Sequence, residues 1–141
     1  MDDGPKNYAP LLRQVAVDHG CTELAAFDVQ SGVGNFRVLY HDRGGTNVDE
    51  SERHAAIDAF AKLIAPCVAS KKDGAIELAT TRASGRSQYC LIILAHRGDS
   101  VVGAAAFIAR CADRSNASNL LQRIKTDAER FRNGPPATDA H

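Results

Sequence analysis

Residues 88–110 read QYCLIILAHRGDSVVGAAAFIAR. Two apolar runs, 88–95 and 100–110, flank the short polar turn His96-Arg97-Gly98-Asp99. Apolar runs bounded by turn residues read as strands, and so short a connection folds them back antiparallel as a hairpin. Gly103 lies inside the second run, where a glycine marks a bulge or the close approach of another backbone. Its neighbours Ala104, Ala105, Ala106 and Ala109 are small, so a helix can lie close to that strand.

Beyond the hairpin, Asp113 or Ser115 caps a closing helix whose apolar stripe is Leu121, Ile124, Ala128 and Phe131. Asn133-Gly134-Pro135-Pro136 stops it and leaves 135–141 as a disordered tail. Before the hairpin, residues 75–81 are β-branched and alternating, with Ile76, Leu78 and Thr80 on one side, and 82–87 form a basic loop. Lys71-Lys72-Asp73-Gly74 is a turn. The helix before it carries Ile57, Phe60, Ala61, Ile64 and Val68 on one stripe, with Asn47 or Asp49 as cap and Asp49–Glu52 spaced as a capping box. Pro66 sits inside that stripe, lacks a backbone donor and clashes with the preceding turn, so the helix is expected to end or kink near Ala65.

Nearer the N-terminus, residues 23–29 form an almost unbroken apolar run, expected as a central strand buried on both faces. Residues 35–41 alternate: Phe36, Val38 and Tyr40 point one way, Arg37, Leu39 and His41 the other. The turn at 30–34 makes these two a hairpin. A short first helix carries Pro10 in its first turn, Leu11, Leu12, Val15 and Ala16 on one stripe, and Gly20 after its end. Residues 1–7 are polar and expected to be loose.

The order is α-β-β-α-β-β-β-α. It predicts an α+β domain over residues 1–134, with a five-stranded, mainly antiparallel sheet and three helices. The first and closing helices are expected on one face, the middle helix and the 82–87 loop toward the other. A chain of 141 residues fits one such domain.

Seventeen basic and seventeen acidic residues balance, which argues against a nucleic-acid binder. The balance is uneven along the chain. Residues 1–70 hold six basic and ten acidic side chains, 71–114 hold seven and four, and 115–141 hold four and three. A local basic patch around 82–87 is therefore compatible with the zero total. No apolar run approaches the ~20 residues of a membrane span, and no secretory signal opens the chain, so it reads as cytoplasmic.

Cys21, Cys67, Cys90 and Cys111 are widely spaced, without Cys-x-x-Cys, and read as reduced, mostly buried thiols. No nucleophile elbow or cysteine-protease signature occurs. His19-x-Cys21 and the i, i+4 pair Glu50–His54 are the nearest approaches to a metal set, and neither has a second cluster to complete it. Gly32-x-Gly34 lies between two strands rather than before a helix and is a turn, not a phosphate loop. No cofactor, no metal and no catalytic residue is assigned.

Residues 91–131, LIILAHRGDSVVGAAAFIARCADRSNASNLLQRIKTDAERF, show an apolar strand, a polar turn, a V-G-x-x-x-F strand, a polar loop and a long closing helix. With the opening helix and the strands at 23–29 and 35–41, this resembles a GAF domain of the PAS/profilin-like group over about 120 residues. The Cys-His dipeptide of bilin-binding GAF domains is missing, and Asn47-Val48-Asp49-Glu50 only echoes the N-K-x-F-x-D-E signature of the cyclic-nucleotide binders. The resemblance implies a non-catalytic sensory or regulatory domain in signalling, binding a small molecule or a protein partner. It also leads us to expect a homodimer through the first and closing helices. A roadblock- or longin-like dimeric scaffold shares the same element order, and a small cysteine-dependent enzyme or redox sensor is the third reading. A ligand pocket is expected against one face of the hairpin strands, with Phe36, Val38, Tyr40, Tyr89 and Leu91 in its wall and Arg82 and Arg86 at its mouth. No nucleic acid or membrane is expected as partner.

Overall fold

In the computed structural model, which describes residues 8–30, 35–44, 47–78 and 87–133, nine elements follow one another. They are α1 (Ala9–Asp18), β1 (Glu23–Gln30), β2 (Asn35–Asp42), α2 (Glu50–Ser70), β3 (Gly74–Glu77), β4 (Ser87–Arg97), β5 (Ser100–Cys111), α3 (Arg114–Asp127) and α4 (Glu129–Arg132). The strands form one antiparallel sheet in the order β2-β1-β5-β4-β3. This is the α+β architecture that the sequence predicts.

The β4–β5 hairpin pairs from Ser87↔Cys111 to Arg97↔Ser100, and Gly98 takes the left-handed conformation (φ 63°) in its turn. Its two faces enter two different cores. Tyr89, Leu91, Ile93 and Ala95 pack with Leu12 and Val15 of α1, Leu121 and Ile124 of α3, and Phe131 of α4. Cys90, Ile92 and Leu94 face the other way and pack with Phe60, Ile64 and Cys67 of α2. Full burial of a Leu or Ile contributes roughly 1.5–3 kcal/mol, so covering both faces gives this hairpin a large share of the buried core. β1 is buried on both faces as well, with Leu24 and Ala26 in one core and Ala25, Phe27 and Val29 in the other.

Gly103 shows both properties that a strand glycine can mark. The β4–β5 register shifts between Ala95 and His96, leaving Val102 as an extra residue beside it. A Cβ at Gly103 would also stand 3.4 Å from the Phe27 carbonyl oxygen of β1 and from the Ala95 Cβ, and 3.6 Å from the Phe131 ring.

Four expectations need correction. The closing helix is two helices, since Ala128 (φ −105°, ψ 25°) interrupts it, and the turn places Phe131 edge-on to Tyr8 with ring centroids 6.2 Å apart. α2 does not end at Ala65 but runs to Ser70. Lys62 and Pro66, the two ends of the missing helical bond, are both exposed, so water can take its place, while buried Ile64 and Cys67 hold the last turns to the sheet. β3 covers Gly74–Glu77 rather than 75–81; Leu78 still donates to the Gln88 carbonyl at 2.9 Å, and 79–81 lie outside the described residues. The strict alternation of 35–41 also fails, because Leu39 is an extra residue opposite β1. The loop 82–87 up to residue 86, the tail from 135 and residues 1–7 lie outside the described residues too.

The caps follow the expected chemistry. Asp49 accepts from the Glu52 amide at 2.8 Å while the Glu52 side chain accepts from the Asp49 amide at 3.4 Å, so the capping box forms with Asp in the place of Ser or Thr. Asp113 caps α3 through the Asn116 amide at 2.8 Å.

Candidate functional site

The position of the site depends on one irregularity in β2. Ala26 pairs with Tyr40, but Phe27 pairs with Val38, so Leu39 is an extra residue. An inserted residue sends every side chain beyond it to the opposite face. Phe36 therefore packs under α2, and Val38, opposite Phe27, shares that face. Tyr40 instead joins the α1 side, where its hydroxyl accepts from Arg13 Nε at 2.9 Å. His41 turns in beneath α2, its ring 6.1 Å from that of Phe60.

The expected pocket wall is thus divided by the sheet. Phe36 and Val38 lie on the α2 face; Tyr40, Tyr89 and Leu91 lie on the α1–α3 face, and the last two are wholly inside the core. Arg82 and Arg86 lie outside the described residues. The other basic side chains of 71–114 do not form one patch among the described residues. Arg110 lies opposite Gln88 near the start of β4, Arg114 reaches the Ala75 carbonyl of β3 at 3.4 Å, Arg97 is at the end of β4, and Lys71 and Lys72 precede β3.

A cavity of about 270 Å³ opens between α2 and the sheet. Ala56, Ala59, Phe60 and Leu63 line it from α2, one helical stripe whose two alanines leave the space. Ile108, Gln88 and Leu78 line it from the sheet. Glu23 and Arg43 form its polar end. Glu23 opens β1, and the antiparallel hairpin returns residues 41–43 to its side.

Behind that polar end is an ordered cluster. His41 Nε2 lies 2.7 Å from Glu23 Oε2, and its Nδ1 lies 3.0 Å from Arg53 Nη1. A guanidinium can only donate, so Nδ1 accepts and the ring proton sits on Nε2, which donates to Glu23. Arg53 Nη1 also reaches the His41 carbonyl at 3.0 Å, and Arg43 Nη2 reaches Glu23 Oε2 at 3.3 Å. The His41 side chain is 1% exposed, Glu23 16% and Arg43 37%, so Arg43 is the charged group most open to the cavity mouth. Sequence reading missed these residues. The available signal was the hairpin itself, which brings the acid at its start opposite the basic residues at its end.

Other polar groups pair between elements or at the surface. Asp73 receives the Leu94 amide at 2.8 Å, Lys125 at 3.2 Å and Arg132 at 3.1 Å, joining β4 to α3 and α4. His19 pairs with Asp127 at 2.7 Å, and His54 and Glu50 are an exposed pair at 4.0 Å. Among the described residues no group of three His, Cys, Asp or Glu side chains could hold a metal ion. All four cysteines are free thiols, and burial pushes those of Cys21 and Cys90 up to about 12. Among the described residues no helix is long and apolar enough to cross a membrane.

No protein-family model matches the chain, and no curated protein matches it significantly. In structure it is similar to the GAF domain/HD domain protein from Geobacter sulfurreducens, at 8% identity and a TM-score of 0.45, over 91% of this chain and 95% of that one. A likeness this distant bears on neither ligand nor activity.

Proposed function

We propose that the chain is a non-catalytic sensory or regulatory domain that takes a small molecule into the cavity between α2 and the sheet. The observation that carries this reading is the cavity itself, apolar along Phe60, Leu63, Leu78 and Ile108 and charged at one end through Glu23 and Arg43. Concave, mostly apolar sites with a few converging polar groups are the usual form of a small-molecule site. The high thiol values of Cys21 and Cys90 support a role without a cysteine nucleophile.

Native mass spectrometry of the protein as purified tests it. An adduct is expected that disappears in Leu63→Trp, where the indole fills the cavity. An adduct that persists in that variant moves the site elsewhere; a protein with no adduct, and with no thermal stabilisation by any member of a metabolite panel, has no such site. The same reading includes a homodimer through α1 and α3 in the cytoplasm, and a monomer by light scattering at micromolar concentration rejects the dimer. A roadblock- or longin-like scaffold remains the competing class, and a dimer whose β3 edge amides are protected from hydrogen exchange selects it.

A further inference from the structure

We infer that the ligand of the α2-side cavity is a small, largely apolar carboxylic acid, bound with its carboxylate on Arg43. The inference rests on the reading that this cavity is the ligand site. Glu23 is the acid lining the cavity, and its Oε2 already accepts from both His41 and Arg43. His41 has both ring nitrogens engaged, Nε2 with Glu23 and Nδ1 with Arg53, so it has no donor left for a ligand. Arg43 pairs directly with Glu23, and Arg53 is joined to it only through His41. Arg110 stands opposite Gln88 in the β4–β5 register, on the same face but outside the cavity lining. Glu52, one turn before Ala56 on the same stripe of α2, is turned to the helix start, where it accepts from the Asp49 amide. The lining itself carries one acid and one base, Glu23 and Arg43, and the further charged groups around it, Arg53 behind His41 and Arg110 opposite Gln88, are both cations, which favours an anionic headgroup.

Donor geometry selects Arg43 within that end. Among the described residues its guanidinium makes one hydrogen bond, a long one of 3.3 Å through Nη2. A guanidinium has five N–H donors in a planar fork that matches a carboxylate. Glu23, by contrast, has one oxygen doubly occupied, so a cationic headgroup finds a weaker site there. The wall fixes the rest of the ligand. Phe60, Leu63, Leu78 and Ile108 offer it no hydrogen bonds, and Gln88 is the neutral polar side chain of the lining, so the body is mostly hydrocarbon. A cavity of about 270 Å³ lies at the small end of ligand sites, which run roughly 300–1,000 Å³, and suits an acid of about eight carbons.

The test uses the full chain at pH 7.5 and three probes of one length: octanoate, octanamide and octylamine. Titration calorimetry is run on wild type, Arg43→Gln, Arg43→Lys and Leu63→Trp, with circular dichroism to verify that each variant is folded. Octanoate should bind at least tenfold tighter than octanamide. Arg43→Gln should erase that preference while octanamide binding stays, Arg43→Lys should restore part of it, and Leu63→Trp should abolish all binding. Equal binding of acid and amide, blocked by Leu63→Trp, overturns the carboxylate but leaves the cavity as a site. Preference for octylamine overturns it in favour of Glu23 as anchor. Octanoate binding that survives Leu63→Trp overturns both readings, and no binding of any probe at millimolar concentration overturns the proposal.

Discussion

The backbone N–H of Leu94 donates to Asp73 Oδ1 at 2.8 Å, a bond from strand to side chain that stands in for a missing strand. β3 begins its pairing with β4 at Gly74↔Ile92, so Leu94 lies past the end of the ladder. Its amide is buried, and an unpaired buried donor costs about 1–3 kcal/mol. Asp73 Oδ2 also holds Lys125 and Arg132. Asp73→Ala should lower unfolding stability by about 2–4 kcal/mol, since it orphans an amide and strands two cations at once. Asp73→Asn keeps an acceptor for Leu94 and should cost about 1 kcal/mol. Urea denaturation separates the two, and amide exchange should show α4 opening first in the alanine variant.

His41 is the hub of the cluster behind the cavity, with both ring nitrogens engaged and its side chain 1% exposed. His41→Ala leaves Glu23 and Arg53 facing an empty space and should cost about 2–3 kcal/mol. Arg53→Met removes one partner only and should cost less. Equal stability of His41→Ala and wild type in urea would show that the cluster does not hold the hairpin to α2.

The thiols give an expected pH dependence. Burial raises the Cys21 and Cys90 values to about 12, while in the unfolded chain they ionise near the ordinary value of about 9. The folded state therefore holds the neutral form, and its advantage is full below pH 9. Above that pH the unfolded state loses protons and gains stability, at about 1.4 kcal/mol per pH unit for each thiol, until the folded thiol also ionises. Stability should fall between pH 9 and pH 11, and the slope should be shallower in Cys90→Ala and Cys21→Ala than in wild type. At neutral pH, thiol reagents should label both residues far more slowly than they label the urea-unfolded chain. One fast thiol would instead favour a cysteine enzyme or redox sensor.

Gly103 leaves room for Phe131. Gly103→Ala places a methyl 3.4–3.6 Å from Ala95, the Phe27 carbonyl and Phe131, contacts that small shifts can absorb, and should cost under about 1 kcal/mol. Gly103→Val adds branches that meet the Phe131 ring and should cost about 2–3 kcal/mol, read as a lower midpoint in urea.

Where one local pattern sufficed, the sequence was enough. The turn at 96–99 between two apolar runs marked the central hairpin, and the stripe from Ile57 to Val68 marked α2. The failures share a physical cause, namely that distant packing overrode a local rule. Pro66 is tolerated because its lost bond faces solvent, and Ala128 breaks a good helical stripe so that Phe131 can reach Gly103 and Tyr8. The candidate site was hidden for the same reason. Period-two reading put Tyr40 with Phe36, whereas the extra residue Leu39 moved Tyr40 away and brought His41 in. Glu23, Arg43 and Arg53 are unremarkable in three separate segments and become a cluster only through hairpin register and the seating of α2.

That extra residue also affects the margin of the sheet. β2 is an outermost strand, and its free side would present an even row of amides and carbonyls to any extended peptide that met it. At Leu39 the row loses its regular spacing midway along, so an incoming strand that pairs with one half is out of step with the other. The irregularity that turns His41 toward the cavity thus also makes this margin a poor template for aggregation.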